Sequence, residues 1–369
     1  MKNIAILLVI FAISIALLIS QIKKRDFLID DKSDKSGEIS VILTGFGSKD
    51  EEGNWIGEAS VIIDNAEDVQ DVGSNIPMCQ SGFEGTFFGS KVLIATSGKA
   101  KVKTTACLSD IFHYYGKNVK EVIVVGIAGI TPMKGGLLDS QGNARNSEKV
   151  MLGDVCLNSI SYDFDLQHYS SDQVSTNLPD PVYWSEGNNF TSDYSKGNVA
   201  LANELYSASL KVDWIETPQK VKDVNIFYHN ITRKPKVWGL SECMEVTGDQ
   251  YWHDIRADAR AREIAVGYMN REYGTKLNPS DILIATSMEA LPAGVYVDWW
   301  NKYQNSKVAF AYVRGAANFD QVSLKKDLTP IESGKESLER SEQAGGAQYA
   351  IETSSLPVLK MFELRSKSK

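Results

Sequence analysis

The fold is decided by the stretch KVLIATSGKAKVKTTACLSDIFHYYGKNVKEVIVVGIAG, which spans Lys91 to Gly129. It opens with an apolar run, Lys91–Thr96, and closes with another, Val119–Val125, each typical of a buried strand. Between the runs, apolar residues recur at helical spacing over Thr104–Tyr115. A strand, a helix and a strand in this order predict two parallel strands joined by a crossover helix.

The same alternation continues on both sides of this stretch. Further strands are predicted at Ile39–Leu43, Asp281–Thr286 and Val308–Val313, with helices at Asp254–Glu272 and Pro292–Tyr303. The pattern predicts an α/β fold: a single three-layer domain with a twisted, largely parallel (mixed) central sheet flanked by helices. A closing helix over residues 345–364 is expected after a charged loop, although Pro357 interrupts its pattern.

The N-terminal residues form an apolar run, Ile4–Ser20, with lysine before it and a basic cluster after it. We interpret residues 1–22 as a signal peptide or an N-terminal membrane anchor, residues 23–38 as a polar tether, 39–364 as the domain and 365–369 as a basic tail. The protein is therefore expected to be exported, either periplasmic or secreted, or anchored to the membrane by this segment.

The net charge of −8 over 369 residues leaves no basic surface of the kind that binds a polyanion, so no nucleic acid partner is expected. The four cysteines are far apart and form no CxxC pair, which disfavours a metal site. One or two disulfides are possible in an oxidising compartment, but free buried cysteines are the default for so sparse a set. The cysteines are Cys79, Cys107, Cys156 and Cys243.

Polar residues and glycines follow the predicted strands, and an open α/β sheet binds its ligands at the carboxyl ends of its strands. Ser97-Gly98 and Ala128-Gly129 are candidates for such a site, although each glycine alone is more typical of a plain turn. A later segment adds an aromatic pair, Tyr251-Trp252, to the candidate residues of this site.

The segment Ser287–Ala290 adds a carboxylate, and the segment Val313–Asp320 adds polar residues at the end of a predicted strand. Breaking an N-glycosidic bond requires a base held by stacking, a ribose gripped beside a negative charge, and a polar group at the base edge. These segments together could supply all three requirements.

Six sequence blocks, in the same order and at similar spacing, resemble the nucleoside phosphorylase and nucleosidase superfamily. Six blocks in one order argue against chance and against a generic dinucleotide-binding domain. The endings GDQYW and RGAANFD are also similar to a sub-group described as purine nucleoside permeases. The blocks are ATSGKAKV (95–102), VVGIAG (124–129), MLGDV (151–155), TGDQY (247–251), MEA (288–290) and VRGAAN (313–318).

The resemblance implies roles for individual residues. Glu289 would contact the ribose hydroxyls and favour an oxocarbenium-like transition state, with Met288 against the apolar face of the sugar. Without the resemblance, Glu289 would be read as an acidic residue at a helix N-terminus and Met288 as core. Tyr251 and Trp252 would stack on the base or wall the pocket; alone, such a pair is more often core.

Asn318 departs from the nucleosidase pattern, because it stands where the superfamily has an aspartic acid thought to protonate the purine. Asparagine cannot transfer a proton, but it can hydrogen-bond a purine edge. Asp320 would share a face with Asn318 if the strand continued, and could take the acid role if burial raises its pKa. Arg314 could bind substrate or buttress the site through a carboxylate.

Phosphorolysis would require arginines or backbone amides near the first glycine turns, yet no arginine occurs between Ile39 and Lys103. Hydrolysis is therefore favoured, with Asp50, Glu51 or Glu52 as candidates for activating water, or as plain surface charge.

The sequence thus predicts cleavage of purine nucleosides to free base and ribose or ribose 1-phosphate. The alternative is a nucleoside-binding component of uptake with little or no catalysis. No cofactor is expected beyond inorganic phosphate as a conceivable co-substrate, and the resemblance implies a homo-oligomer.

Overall fold

The computed structural model describes residues 37–52, 55–131, 150–165, 167–168, 182–183, 194–229, 232–249, 255–278, 281–320 and 330–368. The predicted signal peptide or anchor, residues 1–22, and most of the tether lie outside the described residues. No helix within the described ranges has both the length and the apolar character needed to cross a membrane.

The strands of the described chain, in order, are β1 (Ile39–Thr44), β2 (Gly47–Lys49), β3 (Trp55–Gly57), β4 (Glu67–Asp71), β5 (Ser81–Phe87), β6 (Ser90–Thr96), β7 (Val119–Thr131), β8 (Val155–Asn158), β9 (Ser161–Asp163), β10 (Gln167–His168), β11 (Val182–Tyr183), β12 (Tyr194–Ser195), β13 (Val237–Gly239), β14 (Cys243–Thr247), β15 (Leu283–Ser287) and β16 (Ala309–Phe319).

The α-helices of the described chain are α1 (Ser60–Asp64), α2 (Lys101–Tyr115), α3 (Val199–Ser209), α4 (Gln219–His229), α5 (Ile255–Tyr273), α6 (Ala290–Gln304), α7 (Pro330–Gln343) and α8 (Gly346–Lys367). Short 3-10 turns occur at Gly73–Asn75, Gly116–Asn118 and Leu240–Glu242.

A mixed sheet organises these elements. Its strands follow the order β12-β9-β14-β15-β7-β1-β6-β5-β4, and β16 joins β7 to β8, which also pairs with β13. The central pairs β1–β6, β1–β7 and β16–β7 are parallel, while β15–β7 and the β4–β5–β6 edge are antiparallel. A largely parallel core with antiparallel additions confirms the fold class expected from the sequence.

The core lies on both faces of the sheet, because neighbouring strand residues point to opposite sides. On β7, Val122 and Val124 pack on the face covered by α2 and α6, whereas Ile123 and Val125 pack on the face covered by α3 and α8. Burial on both sides explains why β7 reads as a continuous apolar run.

Several element boundaries differ from those expected. β7 continues through the glycines to Thr131, and β16 continues to Phe319, because the two strands pair with each other over this length. The expected charged loop is in part helix α7, which begins at Pro330 and carries the i,i+4 pairs Lys335–Glu339 and Glu336–Arg340.

The last helix also extends further than expected, through Lys367. Residues 365–367, assigned to a basic tail, are part of this helix, and the Arg365 guanidinium contacts the carboxylates of Glu121 and Glu204.

The expectation of free buried cysteines is wrong. All four are paired, as Cys79–Cys107 and Cys156–Cys243, with Cα–Cα distances of 4.4 and 5.7 Å. These distances fall in the range a disulfide requires. The partners are 28 and 87 residues apart in the chain, so only the fold brings them together.

Candidate functional site

A cavity of about 430 Å³ opens at the carboxyl ends of the central strands. Its wall comes from the segments that follow β1 and β14, from the last residues of β7, β15 and β16, and from α7 and α8. The parallel strands end together at this edge, which is where an open α/β sheet places its ligand. Two clusters of polar side chains line the cavity.

The first cluster contains Glu58, which lies directly after β3. The β2–β3 hairpin folds the chain back, so that the Glu58 carboxylate reaches the end of β1. There one oxygen, Oε2, accepts the backbone N–H groups of Gly45 at 2.6 Å and Phe46 at 3.2 Å. The other, Oε1, accepts the N–H of Ile127 on β7 at 2.7 Å. Glu58 is 2% exposed and lines the cavity.

Arg314 on β16 connects two further buried carboxylates. Its Nη2 donates to Glu289 Oε2 at 2.9 Å, and its Nε donates to Glu245 Oε2 at 2.8 Å. Glu245 is fully buried, and its Oε1 accepts hydrogen bonds from Ser287 Oγ and from the backbone N–H of Ala290 at 3.1 Å. Glu245 therefore binds Arg314 away from the cavity, whereas Glu289 lines the cavity.

Glu289 is the N-cap residue of α6, but its side chain makes no capping hydrogen bond. The position at the helix N-terminus agrees with the interpretation made without the resemblance, and the carboxylate also contacts Arg314.

Electrostatics at this cluster favour retention of a proton. Burial, and then the nearby Glu289 carboxylate, raise the pKa of Glu58 from 4.5 to about 7, against the opposing effects of Arg314 and the backbone N–H groups. Burial also raises the pKa of Glu289, although Arg314 opposes this shift. Burial lowers the pKa of Arg314, but the neighbouring carboxylates together outweigh this effect and raise the pKa, so that Arg314 stays protonated. A carboxyl that titrates near neutral pH suits general base catalysis.

A glycine makes room for this cluster. A Cβ at Gly126 would lie 2.2 Å from Glu58 Oε1 and 2.8 Å from Arg314 Nη1, so any side chain there would displace them. Arg314 Nη1 is buried and has no hydrogen-bond partner among the described residues. Arg314 Nη1 and Glu58 Oε1 therefore both lie beside Gly126.

The second cluster lies further along β7 and β16. Asn318 Nδ2 donates to Asp320 Oδ1 at 3.0 Å, and the Thr286 hydroxyl donates to Asp320 Oδ2. Asp320 is 1% exposed, and its backbone N–H donates to Ile130 O at 3.0 Å. A Cβ at Gly129 would lie 2.0 Å from Asp320 Oδ1, so glycine is required for this approach.

The register of β16 on β7 fixes the spacing of the two clusters. Arg314 is paired with Gly126 and Asn318 with Gly129, three residues along the same strand. At about 3.3 Å per residue, this places the clusters roughly 10 Å apart.

The structure places the site residues expected from the sequence in different environments. Six of them line the cavity: Glu289, Met288, Ala128, Gly129, Asn318 and Asp320. Arg314 lies behind the wall, in contact with Glu289. Tyr251 and Trp252 lie outside the described residues, although Gly248 lines the cavity and Asp249 accepts the N–H of Lys101 at the start of α2.

Ser97 and Gly98 are not among the residues that line the cavity. The Ser97 hydroxyl donates to Thr44 O at 3.2 Å and to Gly98 O at 2.9 Å, which ties the end of β6 to the end of β1. Gly98 has a φ of +86°, a conformation that favours glycine. The next residue, Lys99, does line the cavity, and its Nζ lies 4.7 Å from the centre of the Phe46 ring.

Sequence reasoning missed Glu58 and Glu245. It proposed Glu51 and Glu52 for the same part of the chain, yet both are exposed, whereas Glu58 is buried. One feature of the sequence pointed to Glu58: it follows two apolar residues, Trp55 and Ile56, and Gly57, and such neighbours are unusual for a surface carboxylate.

Comparisons with known proteins give a likeness to solved structures alone. No family model and no curated protein matches the chain. The methylthioadenosine/S-adenosylhomocysteine nucleosidase of Neisseria meningitidis is 15% identical, with a TM-score of 0.48 over 88% of this chain and 98% of that one. The S-adenosylhomocysteine nucleosidase of Streptococcus pyogenes is 15% identical, with a TM-score of 0.48 over 89% of this chain and 98% of that one.

The futalosine hydrolase of Helicobacter pylori is 14% identical, with a TM-score of 0.48 over 90% of this chain and 100% of that one. At these identities and TM-scores the likeness carries no conclusion about the family or the activity of this chain. The resemblance to the permease sub-group stays a prediction, as do the homo-oligomer and the membrane attachment.

Proposed function

We propose that the protein hydrolyses the N-glycosidic bond of purine nucleosides. The observation that carries this proposal is the pair of polar clusters at one cavity. Glu58 and Glu289 line it with Arg314 behind them, and Asn318 and Asp320 line it further along β7. The first cluster offers a base and a negative charge for the sugar, and the second offers hydrogen-bonding groups for the leaving base.

Water is the nucleophile that the cavity favours. Glu58, Glu289, Asp320 and Glu342 line it, and Lys99 is the only cation among its described lining residues. A phosphate dianion would be repelled by this concentration of negative charge. Arg314, the residue best suited to bind phosphate, already contacts two carboxylates. Hydrolysis to free base and ribose therefore fits better than phosphorolysis.

We infer the following reaction for these groups. Glu58 removes a proton from water, and the water oxygen attacks C1′ of the ribose. The bond between C1′ and the base nitrogen breaks, and its electron pair leaves with the base. Glu289 accepts hydrogen bonds from the ribose hydroxyls and stabilises the positive charge that develops on the sugar.

Asp320 gives a proton to a ring nitrogen of the departing base, since Asn318 beside it cannot transfer one. The proton that Glu58 gained and the one that Asp320 lost are exchanged with solvent before the next turnover. The products are the free base and ribose, which together contain the atoms of nucleoside and water.

The first test incubates the full chain with adenosine, inosine, guanosine and uridine, with and without phosphate, and follows free base by chromatography. We expect purine release without phosphate. Glu289→Gln should lower the rate about 10²- to 10³-fold, the scale for a group that stabilises transition-state charge, while nucleoside binding remains measurable. Glu339→Gln, an exposed carboxylate on α7, is the matched control and should retain wild-type activity.

Release that depends on phosphate would replace hydrolysis by phosphorolysis. Full turnover by Glu289→Gln would contradict the role of that residue. Stoichiometric binding of nucleoside with no base released would instead support the alternative of a nucleoside-binding protein in uptake.

A further inference from the structure

We propose that Glu245 is a positioning residue for Glu289. Glu245 binds the start of helix α6 and one side of Arg314, and in this way keeps the Glu289 carboxylate at the cavity. The inference rests on the proposed function, because that function assigns Glu289 to the ribose. Glu245 is not one of the described residues that line the cavity, so it acts on the reaction through Glu289.

The first turn of α6 has backbone N–H groups that need acceptors from outside the helix, as every helix start does. Ala290 and Leu291 carry these N–H groups, and the third residue, Pro292, has none. A polar side chain directly before a helix commonly accepts a hydrogen bond from this turn. The side chain of Glu289 occupies that position but makes no such bond, so other residues satisfy the helix start.

Strand β14 supplies the acceptors. Glu245 Oε1 accepts the Ala290 N–H at 3.1 Å, and Thr247 Oγ1 accepts the Leu291 N–H at 3.2 Å. The Thr247 hydroxyl in turn donates to Glu245 Oε1 at 3.0 Å, and both residues are fully buried. Because β14 pairs in parallel with β15, the strand that leads into α6, these side chains lie beside the start of the helix.

The other oxygen of Glu245 fixes Arg314. Glu245 Oε2 accepts from Arg314 Nε at 2.8 Å, while Glu289 Oε2 accepts from Arg314 Nη2 at 2.9 Å. Arg314 is fully buried, and a buried donor left without an acceptor loses the free energy of its hydration with nothing in return. Glu245 thus satisfies two buried donors, one at the helix start and one on Arg314.

Without Glu245, both donors would require a new acceptor. Glu289 already contacts Arg314, and it directly precedes Ala290 in the chain. A guanidinium favours binding both oxygens of one carboxylate, and a helix N-terminus attracts negative charge. We therefore expect Glu289 to turn toward these donors and away from the ribose when Glu245 is removed.

A double-mutant cycle on the full chain tests this inference. Single-turnover release of base is measured for adenosine and inosine, in the wild type, Glu245→Met, Glu289→Gln and the double variant. Glu245→Met should lower the rate about 10- to 10²-fold, the scale on which a displaced reacting group reduces catalysis. In the Glu289→Gln background the same substitution should change the rate less than about threefold, because the charge that Glu245 positions is already lost.

Two further variants separate positioning from general damage. Glu245→Gln keeps an oxygen for the Ala290 N–H but its NH₂ group cannot accept from Arg314 Nε, so its rate should lie between those of the wild type and Glu245→Met. It replaces Glu245→Met in the cycle if circular dichroism shows that the methionine variant is unfolded. Glu339→Met, at an exposed carboxylate on α7, is the matched control and should leave the rate unchanged in both backgrounds.

Equal fold losses with and without the Glu289 carboxylate would show a merely structural role for Glu245 and overturn the inference, as would a wild-type rate in Glu245→Met. A rate of Glu245→Gln no higher than that of Glu245→Met would overturn the part assigned to the helix start. In each of these cases, base release by the wild type leaves the proposed function intact. No release from either nucleoside by the wild type would overturn the proposed function, and this inference with it.

Discussion

Replacing Glu58 with glutamine should lower the rate of nucleoside hydrolysis by about 10²- to 10⁴-fold, the scale of a lost general base. Glu58 is the carboxyl of the cavity whose pKa of about 7 allows it to accept a proton near neutral pH. Single-turnover release of base from adenosine would measure the chemical step directly. The mutation leaves Glu289 in place to bind the sugar, with Arg314 still in contact with it.

Glutamine keeps one oxygen for the backbone N–H groups that Glu58 contacts, so local distortion must be separated from loss of the base. Near-ultraviolet circular dichroism and nucleoside affinity should therefore be measured on the same sample. The matched control is Glu52→Gln, because Glu52 is exposed and was a sequence-based candidate for the same role. Retained turnover in Glu58→Gln, or loss of turnover in Glu52→Gln, would contradict the assignment of Glu58 as the general base.

The pH dependence gives a second readout of Glu58. Its raised pKa means that the carboxyl is protonated, and inactive as a base, below about pH 7. We therefore expect kcat/KM of the wild type to rise as the pH increases through about 7 and then to level off. Glu58→Gln should lack this rising limb. A wild-type limb centred near 4.5, the ordinary value for glutamate, would show that Glu58 is not the titrating base.

Replacing Arg314 with methionine should reduce the free energy of unfolding by about 3–5 kcal/mol, as expected when one partner of a buried ion pair is removed. Arg314 is fully buried between Glu245 and Glu289, and its charge also lowers the pKa of Glu58. Without it, three buried carboxyls would share no positive charge. Urea unfolding at neutral pH would measure the change.

The matched control is Lys335→Met on α7. Lys335 pairs with Glu339 at the surface, where its side chain is 74% exposed, so its loss should cost less than about 1 kcal/mol. Comparable destabilisation by both substitutions would contradict a special role for the buried cluster.

The loss in Arg314→Met should also depend on pH. The pKa of Glu58 is higher in the folded protein than its ordinary value. Between about pH 4.5 and about pH 7 the folded protein therefore binds more protons than the unfolded chain. The contribution of Glu58 to stability falls as the pH rises through that window. Removing Arg314 shifts the window upward. The destabilisation should therefore be larger at about pH 8 than at about pH 5, and a loss independent of pH would argue against the carboxyls as its cause.

The sequence by itself determined the fold class and one part of the site. Continuous apolar runs such as Val119–Val125 report burial on both faces of a strand, and helical spacing reports one buried face, so local patterns were enough to predict the layers. The same patterns predicted strands that end at Thr286 and Val313, shortly before Glu289 and Asn318, at the edge where an open α/β sheet binds its ligands.

Only the tertiary structure decided which side chains meet. Glu58 reaches the site because the β2–β3 hairpin reverses the chain, and Glu245 reaches Arg314 because β14 and β16 lie in one sheet. The disulfide partners and the contact between Asn318 and Asp320 depend likewise on strand pairing and on how far β16 continues. Periodicity is a property of a few neighbouring residues, whereas these contacts join segments whose approach is set by the packing of the whole sheet.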